Sequence, residues 1–486
     1  MSKRLWIVLG LLALFAVACA TPEEKKTAFY DKGVAFFEAG EYIKARLEFK
    51  NALQIDPEFA PAYYMLGKNA IKLKDGKAAY KSFMTAVRFD PEMIDARLDL
   101  GKMLFAGRAH DRAMAEVEEI LKRAPGNTDA LYLKASILLA QKKNEEAGIL
   151  LDAVSQTGDE HPEFYLLRAS YYSQKKNDKA VLTSLEKGFE RHPDSLSMAL
   201  ALTRYYGKKR DIDRVEYYLG RAIEISPETL RLRFNLAWIH LKKNDLEKAR
   251  LVLNRIITTH PGQDSLRVGA SVLLLKGGQE AAAVDMIREG IAQSPSIYSY
   301  YALLSEVELK RDNMPEAETV LNRFLALGDD AARADQIKAR LNLSKLMLLE
   351  NRFEDADNMI AAILEEDLQN IDAHYLKGKL FLVRGNGSEA VLRFRAVTDE
   401  HPGHLEGHIG LANAHALNED YDLALDVLKK ALKRAPNSTK ILKGMVRVNV
   451  LKKDTRAAEQ NLKQIISLDP YNLGAIAGLG DFYLSM

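Results

Sequence analysis

Cysteine is all but missing: Cys19 is the only one in 486 residues. No disulfide can close within the chain, and a cysteine-built metal knuckle is excluded. An excess of one charge is missing too. The 69 Lys and Arg are matched by 67 Asp and Glu, whereas a protein that grips nucleic acid needs a strong basic footprint. Nucleic acid is therefore not expected as a partner. Long apolar runs are scarce. The one at Leu5 to Ala18 is about 14 residues, short of the ~20 that a membrane-crossing helix requires. There is no Gly-Lys-Ser/Thr loop to cradle phosphate, and no nucleophile–base constellation. The chain reads as a non-enzyme without a cofactor or metal.

Proline is sparse, 14 in all, but its placement is regular. Pro57–Pro91, Pro91–Pro125, Pro193–Pro227, Pro227–Pro261, Pro261–Pro295, Pro402–Pro436 and Pro436–Pro470 are all separated by one and the same interval, about 34 residues. A fixed period of that length marks one supersecondary unit repeated along the chain. The second copy shows its content. Tyr63, Leu66, Gly67 and Ala70 share one helical face, and Lys74-Asp75-Gly76 is a polar turn. Ala79, Phe83 and Ala86 form a second helical face that Asp90-Pro91 ends. Two short amphipathic helices joined by a turn make a helical hairpin. Gly67 and Ala79 are read as small residues that let two backbones approach.

This pattern resembles the tetratricopeptide repeat. It returns at Gly33, Ala45, Phe49, Ala52 and Pro57, and at Gly101, Leu104, Ala113 and Pro125. It returns again at Ala237, Ala249, Leu253 and Pro261, at Gly378, Phe381, Ala390, Phe394 and Pro402, and at Ala412, Ala424, Leu428, Ala431 and Pro436. A last full copy has Ala458, Leu462, Ile465 and Pro470. About thirteen copies and a partial one occupy residues 26–486. The resemblance implies an all-α fold, a right-handed superhelical solenoid of hairpins whose work is binding.

Two places depart from the period. Gln156 to Pro162 reads as a longer connection followed by a short copy. Near residues 328–336 the proline is missing, and the step from Ala317 to Ala356 overshoots the period by about five positions. A longer surface loop or a hinge is expected there. The chain ends at Met486 inside another first helix. Leu473, Ile476, Leu479, Phe482 and Tyr483 make it apolar for a solenoid cap, so a shortened reading frame is the alternative.

Residues 1–18 read as a lipoprotein signal peptide, with Lys3 and Arg4 ahead of the apolar run. Ala16-Val17-Ala18-Cys19 resembles a bacterial lipobox, in which the cysteine is lipidated. Residues 19–25 then form a short lipidated tether. Ala20 after the cysteine implies, by the same resemblance, an outer-membrane lipoprotein facing the periplasm.

Among side chains with chemical potential, His401, His404, His408 and His415 cluster, and His404 with His408 is spaced for a shared metal. The His-Pro pairs at His161, His192, His260 and His401 point instead to helix ends, where imidazole meets exposed carbonyls.

In a tetratricopeptide solenoid the first helix of each hairpin lines the concave surface. The family's groove positions fall here on Tyr64 with Lys68, Leu98 with Lys102, Tyr132 with Ser136, and Leu200 with Arg204. They continue with Phe234 and Trp238, Leu341 and Lys345, Tyr375 and Lys379, and Lys443 and Arg447. A ring or aliphatic residue followed by a cation suits an acidic peptide or an anionic polysaccharide. The Lys/Asn carboxylate clamp of chaperone-binding relatives is not found at these positions.

The stretch Ala45 to Pro57 resembles the opening repeat of lipoproteins tied to PEP-CTERM/exosortase systems and exopolysaccharide production. That implies a membrane-anchored scaffold holding other proteins of an envelope export or assembly complex. A pilus or outer-membrane-protein assembly lipoprotein is the alternative, and an enzyme with an unrecognised site is the alternative of another class. Cys19→Ala should leave the leader uncleaved and abolish metabolic labelling with a fatty acid. Persistent labelling would exclude Cys19 as the attachment point.

Overall fold

The apolar positions that recur every three to four residues in the second copy do form two helices, Ala60–Lys72 and Gly76–Phe89. The computed structural model describes residues 21–158 and 160–484. The stretch read as a signal peptide, and Cys19, lie outside them. Among the described residues there are 27 α-helices and no strand. They pair in chain order into hairpins, from Pro22–Glu38 with Tyr42–Ile55 to Thr439–Leu451 with Thr455–Leu468, and Leu473–Leu484 follows alone. The all-α hairpin solenoid expected from the period is what forms. The chain divides into two compact units between Ile239 and His240.

The turn within each hairpin is built the same way. Its pivot has positive φ: Gly40, Lys74, Arg108, Lys142, Lys176, Arg210, Asn244, Gly278, Asp312, Asn351, Gly385, Glu419 and Lys453. In the second hairpin the Lys74 N–H donates to the Ile71 carbonyl at 3.0 Å and the Asp75 N–H to the Ala70 carbonyl at 2.9 Å. These two bonds satisfy carbonyls that the end of the helix would leave bare. Asp75 then accepts the Ala78 N–H at 3.0 Å and starts the second helix.

This frame corrects one expectation. Lys142 and Lys176 are still one full period apart, so nothing is inserted or lost around Pro162. Asn144–Thr157 and Pro162–Gln174 have 14 and 13 residues, like His110–Arg123 and Thr128–Ala140 before them. There is neither a lengthened connection nor a short copy. The proline has moved into the first helical turn, where its missing N–H has no partner to lose. Glu160 anchors this connection. Its carboxylate, 9% exposed, accepts from the Ser155 hydroxyl at 2.7 Å, the Tyr165 hydroxyl at 2.5 Å and the Arg191 guanidinium. Burial pushes this carboxyl up, but these donors and the nearby Lys187 and Arg191 charges bring it below the usual range. Burial and the Glu160 carboxylate push the Tyr165 hydroxyl up to about 12.

The step from Asp312 to Asn351 exceeds the period, as the alanine spacing indicated. The added residues lengthen a helix rather than a loop alone. Arg333–Leu349 has 17 residues, preceded by a single 3-10 turn at Gly328–Asp330. Gln336 donates to the carbonyls of Gly328 and Ala331 at 2.7 and 3.0 Å. Arg340 grips both oxygens of Glu366, at 2.7 and 2.9 Å, and Arg333 adds a contact at 3.3 Å. These bonds link the start of this helix to the turn before it and to the following helix.

Gly67 serves a different purpose from the one inferred. A methyl group at Gly67 would stand 2.4 Å from the Phe83 ring. The glycine makes room for an aromatic side chain rather than for a second backbone. Gly33 with Phe49 and Gly410 with Phe394 repeat this at 2.6 and 2.4 Å. Phe83 is 2% exposed, and Ala79 and Ala86 are fully buried. The last helix keeps its apolar face in the open, with Leu473 80% exposed.

Gly67→Ala should lower local stability by about 1–3 kcal/mol through overpacking. Hydrogen exchange over residues 60–89 should register it, and the cost with Phe83→Leu added should be less than the sum of the two. Arg340, then Arg333, holds the Glu366 carboxyl at about 2. A depressed carboxylate stabilises above its unfolded value, about 4.3, and loses that contribution as pH falls toward the folded one. Protection of residues 333–349 should therefore fall between pH ~4 and ~2. Glu366→Gln should be weaker at neutral pH and flat across that interval.

Candidate peptide-binding faces

First helices place every third or fourth residue on one side of the hairpin. On that side Lys68, Lys102, Arg204, Lys345, Lys379, Lys443 and Arg447 are exposed, and Tyr64, Phe234, Trp238 and Tyr375 are half-buried. Two expected pairs meet: Lys68 Nζ lies 5.5 Å from the centre of the Tyr64 ring, and Lys379 Nζ 5.9 Å from that of Tyr375. Lys345 donates to the Asn342 side chain at 3.2 Å.

Tyr132 does not belong to the surface. It is 1% exposed, its ring stands edge-on to His161, and its hydroxyl accepts the His161 N–H at 3.3 Å. Its bulk closes the step to the next hairpin instead of facing a client. Leu98 and Leu341, at 6% and 5%, are core for the same reason.

Asp99 changes the electrostatics around Lys68 and Lys102. Burial pushes its carboxyl up, against the pull of Lys102, the Tyr64 hydroxyl and Lys68. These two lysines therefore already face a carboxylate of the chain itself. The stripe Asp95, Asp99, Lys102 at helical spacing was the available signal.

The cations are freer between the fifth and sixth hairpins. A cavity of about 630 Å3 lies between the first helices Pro162–Gln174 and Leu196–Lys209. Leu166, Ala169, Val181 and Ala201 give it an apolar base. Asp178 holds Lys209 at 2.8 Å and accepts from the Tyr205 hydroxyl at 2.9 Å. Lys209, then Tyr205, keeps that carboxyl below the usual range, while burial and Asp178 push the Tyr205 hydroxyl up to about 12. Lys176, Arg204 and Lys208 also line the cavity and make no ion pair with a described residue. Of these only Arg204 was anticipated. Lys176 is the turn pivot and Lys208 lies in the last helical turn, outside the family's two groove positions.

In the second unit, Arg447 and Asn413 stand at a cavity of about 500 Å3 walled by Leu382, Ala416, Tyr421 and Leu451. Lys443 edges an apolar cavity of about 540 Å3 against the last helix.

The histidines are engaged separately. His404 accepts the Gly407 N–H at 2.8 Å and caps a helix. His408 Nε2 donates to the Pro402 carbonyl at 2.9 Å. His415 is buried, 3.7 Å from the Asp420 carboxylate. His260 meets the Ile256 carbonyl at 3.0 Å, the helix-end role read from the His-Pro pairs. Among the described residues no group of three or more His, Cys, Asp or Glu is placed to hold a metal ion.

Family models agree with the hairpin geometry. One family model described as tetratricopeptide repeat matches residues 64–128 and 375–439. A second of the same description matches residues 104–171 and 208–270. No curated protein matches the chain. Similar solved structures include a chain of the APC/C hetero-tetramer Cut9–Hcn1, 12% identical, covering 94% of this chain and 96% of that one at a TM-score of 0.39. Yeast Tom70 is 13% identical, with 95% and 96% covered and a TM-score of 0.40. A tetratricopeptide repeat protein from Parabacteroides merdae is 15% identical, with 53% and 99% covered and a TM-score of 0.40. The chain carries tetratricopeptide repeats, in both of its compact units.

Proposed function

We propose that this chain is an envelope scaffold that grips an acidic segment of a client protein on its first-helix face. Tetratricopeptide repeats are protein-interaction modules, so a protein client is the general expectation. The observation that carries the reading is the cavity between the fifth and sixth hairpins. Lys176, Arg204 and Lys208 stand over an apolar base without a carboxylate partner. Apolar contact supplies affinity there, and the cations supply steering and choice of partner.

Location and pathway belong to the same proposal. Support comes from the leader ahead of Cys19, from the lipobox-like Ala16-Val17-Ala18 and from the Ala45–Pro57 stretch. They fit a lipid-anchored outer-membrane protein of the periplasm that serves exopolysaccharide or PEP-CTERM protein export. An anionic polysaccharide is a further client for the Tyr64/Lys68 and Tyr375/Lys379 pairs, which join a ring to a cation.

Arg204→Glu with Lys208→Glu should weaken capture of envelope partners by about tenfold and reduce polymer export. Helicity and thermal stability should be retained. Lys81→Ala with Glu118→Ala, on second helices, should change neither readout. Equal behaviour of the two sets would remove the first-helix face as the working surface.

A further inference from the structure

Second helices of successive hairpins enclose another kind of cavity. Between Gly387–Glu400 and Tyr421–Arg434, over the first helix Leu405–Leu417, lies a space of about 780 Å3. Leu411 and Val427 form its base, and Arg395, Lys430, Lys433 and Arg434 reach into it. Lys430 is neutralised by Asp426 at 2.7 Å. Arg395 and Lys433 make no ion pair with a described residue. Asp399, the one carboxylate in the lining, leaves the cations in excess.

The fifth hairpin shows what the corresponding place is shaped to hold. Aligning the two hairpins on their turn pivots, Lys176 and Glu419, sets Ser155 on Thr398, Tyr165 on His408 and Arg191 on Arg434. Where the fourth hairpin meets the fifth, those three side chains converge on the carboxylate of Glu160. Glu160 aligns with Gly403, which brings no side chain. Two neighbouring acids are also exchanged for bases, Asp152 for Arg395 and Glu190 for Lys433. In the later hairpin His408 and Arg434 hold the Pro402 carbonyl, at 2.9 and 2.8 Å. A carbonyl oxygen satisfies those hydrogen bonds but brings no counter-charge, and a charged partner is what unpaired guanidinium and ammonium groups attract.

We infer that the cavity over Leu405–Leu417 is a second binding site, taking the carboxylates of an acidic peptide segment from a partner protein. The aliphatic base suits the stem of a glutamate. No Trp, Tyr or Phe lines the cavity to stack a sugar ring, which favours peptide over acidic polysaccharide. This site lies in the second unit and on second helices, and does not depend on the first-helix reading.

The test is hydrogen exchange of the full chain with and without a hexaglutamate peptide. Protection is expected over residues 387–434. Arg395→Glu with Lys433→Glu should abolish it and weaken the affinity of this site by about tenfold or more, while protection over 166–209 persists. Arg204→Glu with Lys208→Glu should do the reverse, so failure of one site is distinguishable from failure of the other. The neutral pair Arg395→Gln with Lys433→Gln should give an intermediate loss, with unchanged circular dichroism as the check on folding. No protection at saturating peptide, or protection that survives charge reversal, overturns the inference. Polygalacturonate protecting residues 387–434 where hexaglutamate does not would overturn the peptide assignment.

Discussion

Each hairpin turns through one residue in the left-handed backbone region, and all other features of the repeat are indexed to that residue. The pivot lets two backbone N–H groups return to the carbonyls of the helix just finished. It also fixes where the second helix starts, hence which of its residues face back. Ala79 and Phe83 are buried because they sit at set distances from Lys74, not because the turn itself is apolar. Only three of the pivots, Gly40, Gly278 and Gly385, are glycine. Elsewhere the motif imposes the conformation on Lys, Arg, Asn, Asp or Glu, at a cost of about 1–2 kcal/mol against the right-handed region. The bonds to the preceding carbonyls and the packing of the paired helices must outweigh that.

Aromatic rings fill the space that small residues leave. Gly67 and Phe83 are one interlocking pair, and Gly410 and Phe394 are another, formed between successive hairpins rather than within one. The ring seated by one hairpin therefore helps to seat the next. This couples neighbours and makes stability close to a sum of local terms along the stack.

Much of this was legible from Pro57, Gly67, Ala79 and Phe83 and their recurrence. A solenoid writes one local solution many times, so periodicity alone names the fold. What the period could not supply was chemistry that lies off it. Proline was a poor marker at Pro162, because it can stand in the connection or in the first helical turn without altering the spacing. Tyr132 was misplaced for a related reason. A groove position is exposed only if the next hairpin leaves it open, and there His161 closes it. Asp99 escaped because its effect on Lys68 and Lys102 depends on side chains from successive hairpins. Lys176 and Lys208 escaped because they reach the cavity from helix ends.

The pivots have one more consequence, for diffusion rather than packing. In the first unit five successive ones are Lys74, Arg108, Lys142, Lys176 and Arg210, all exposed cations at the same point of their hairpins. Later pivots are Asn244, Gly278, Asp312, Asn351, Gly385, Glu419 and Lys453. A near-neutral chain thus carries an electrically lopsided set of turns. Any anionic solute near the turn edge of the first unit meets these cations first. Their attraction fades over a Debye length, about 8 Å at physiological salt, so encounter rates with such solutes fall with ionic strength even where the final contacts are apolar.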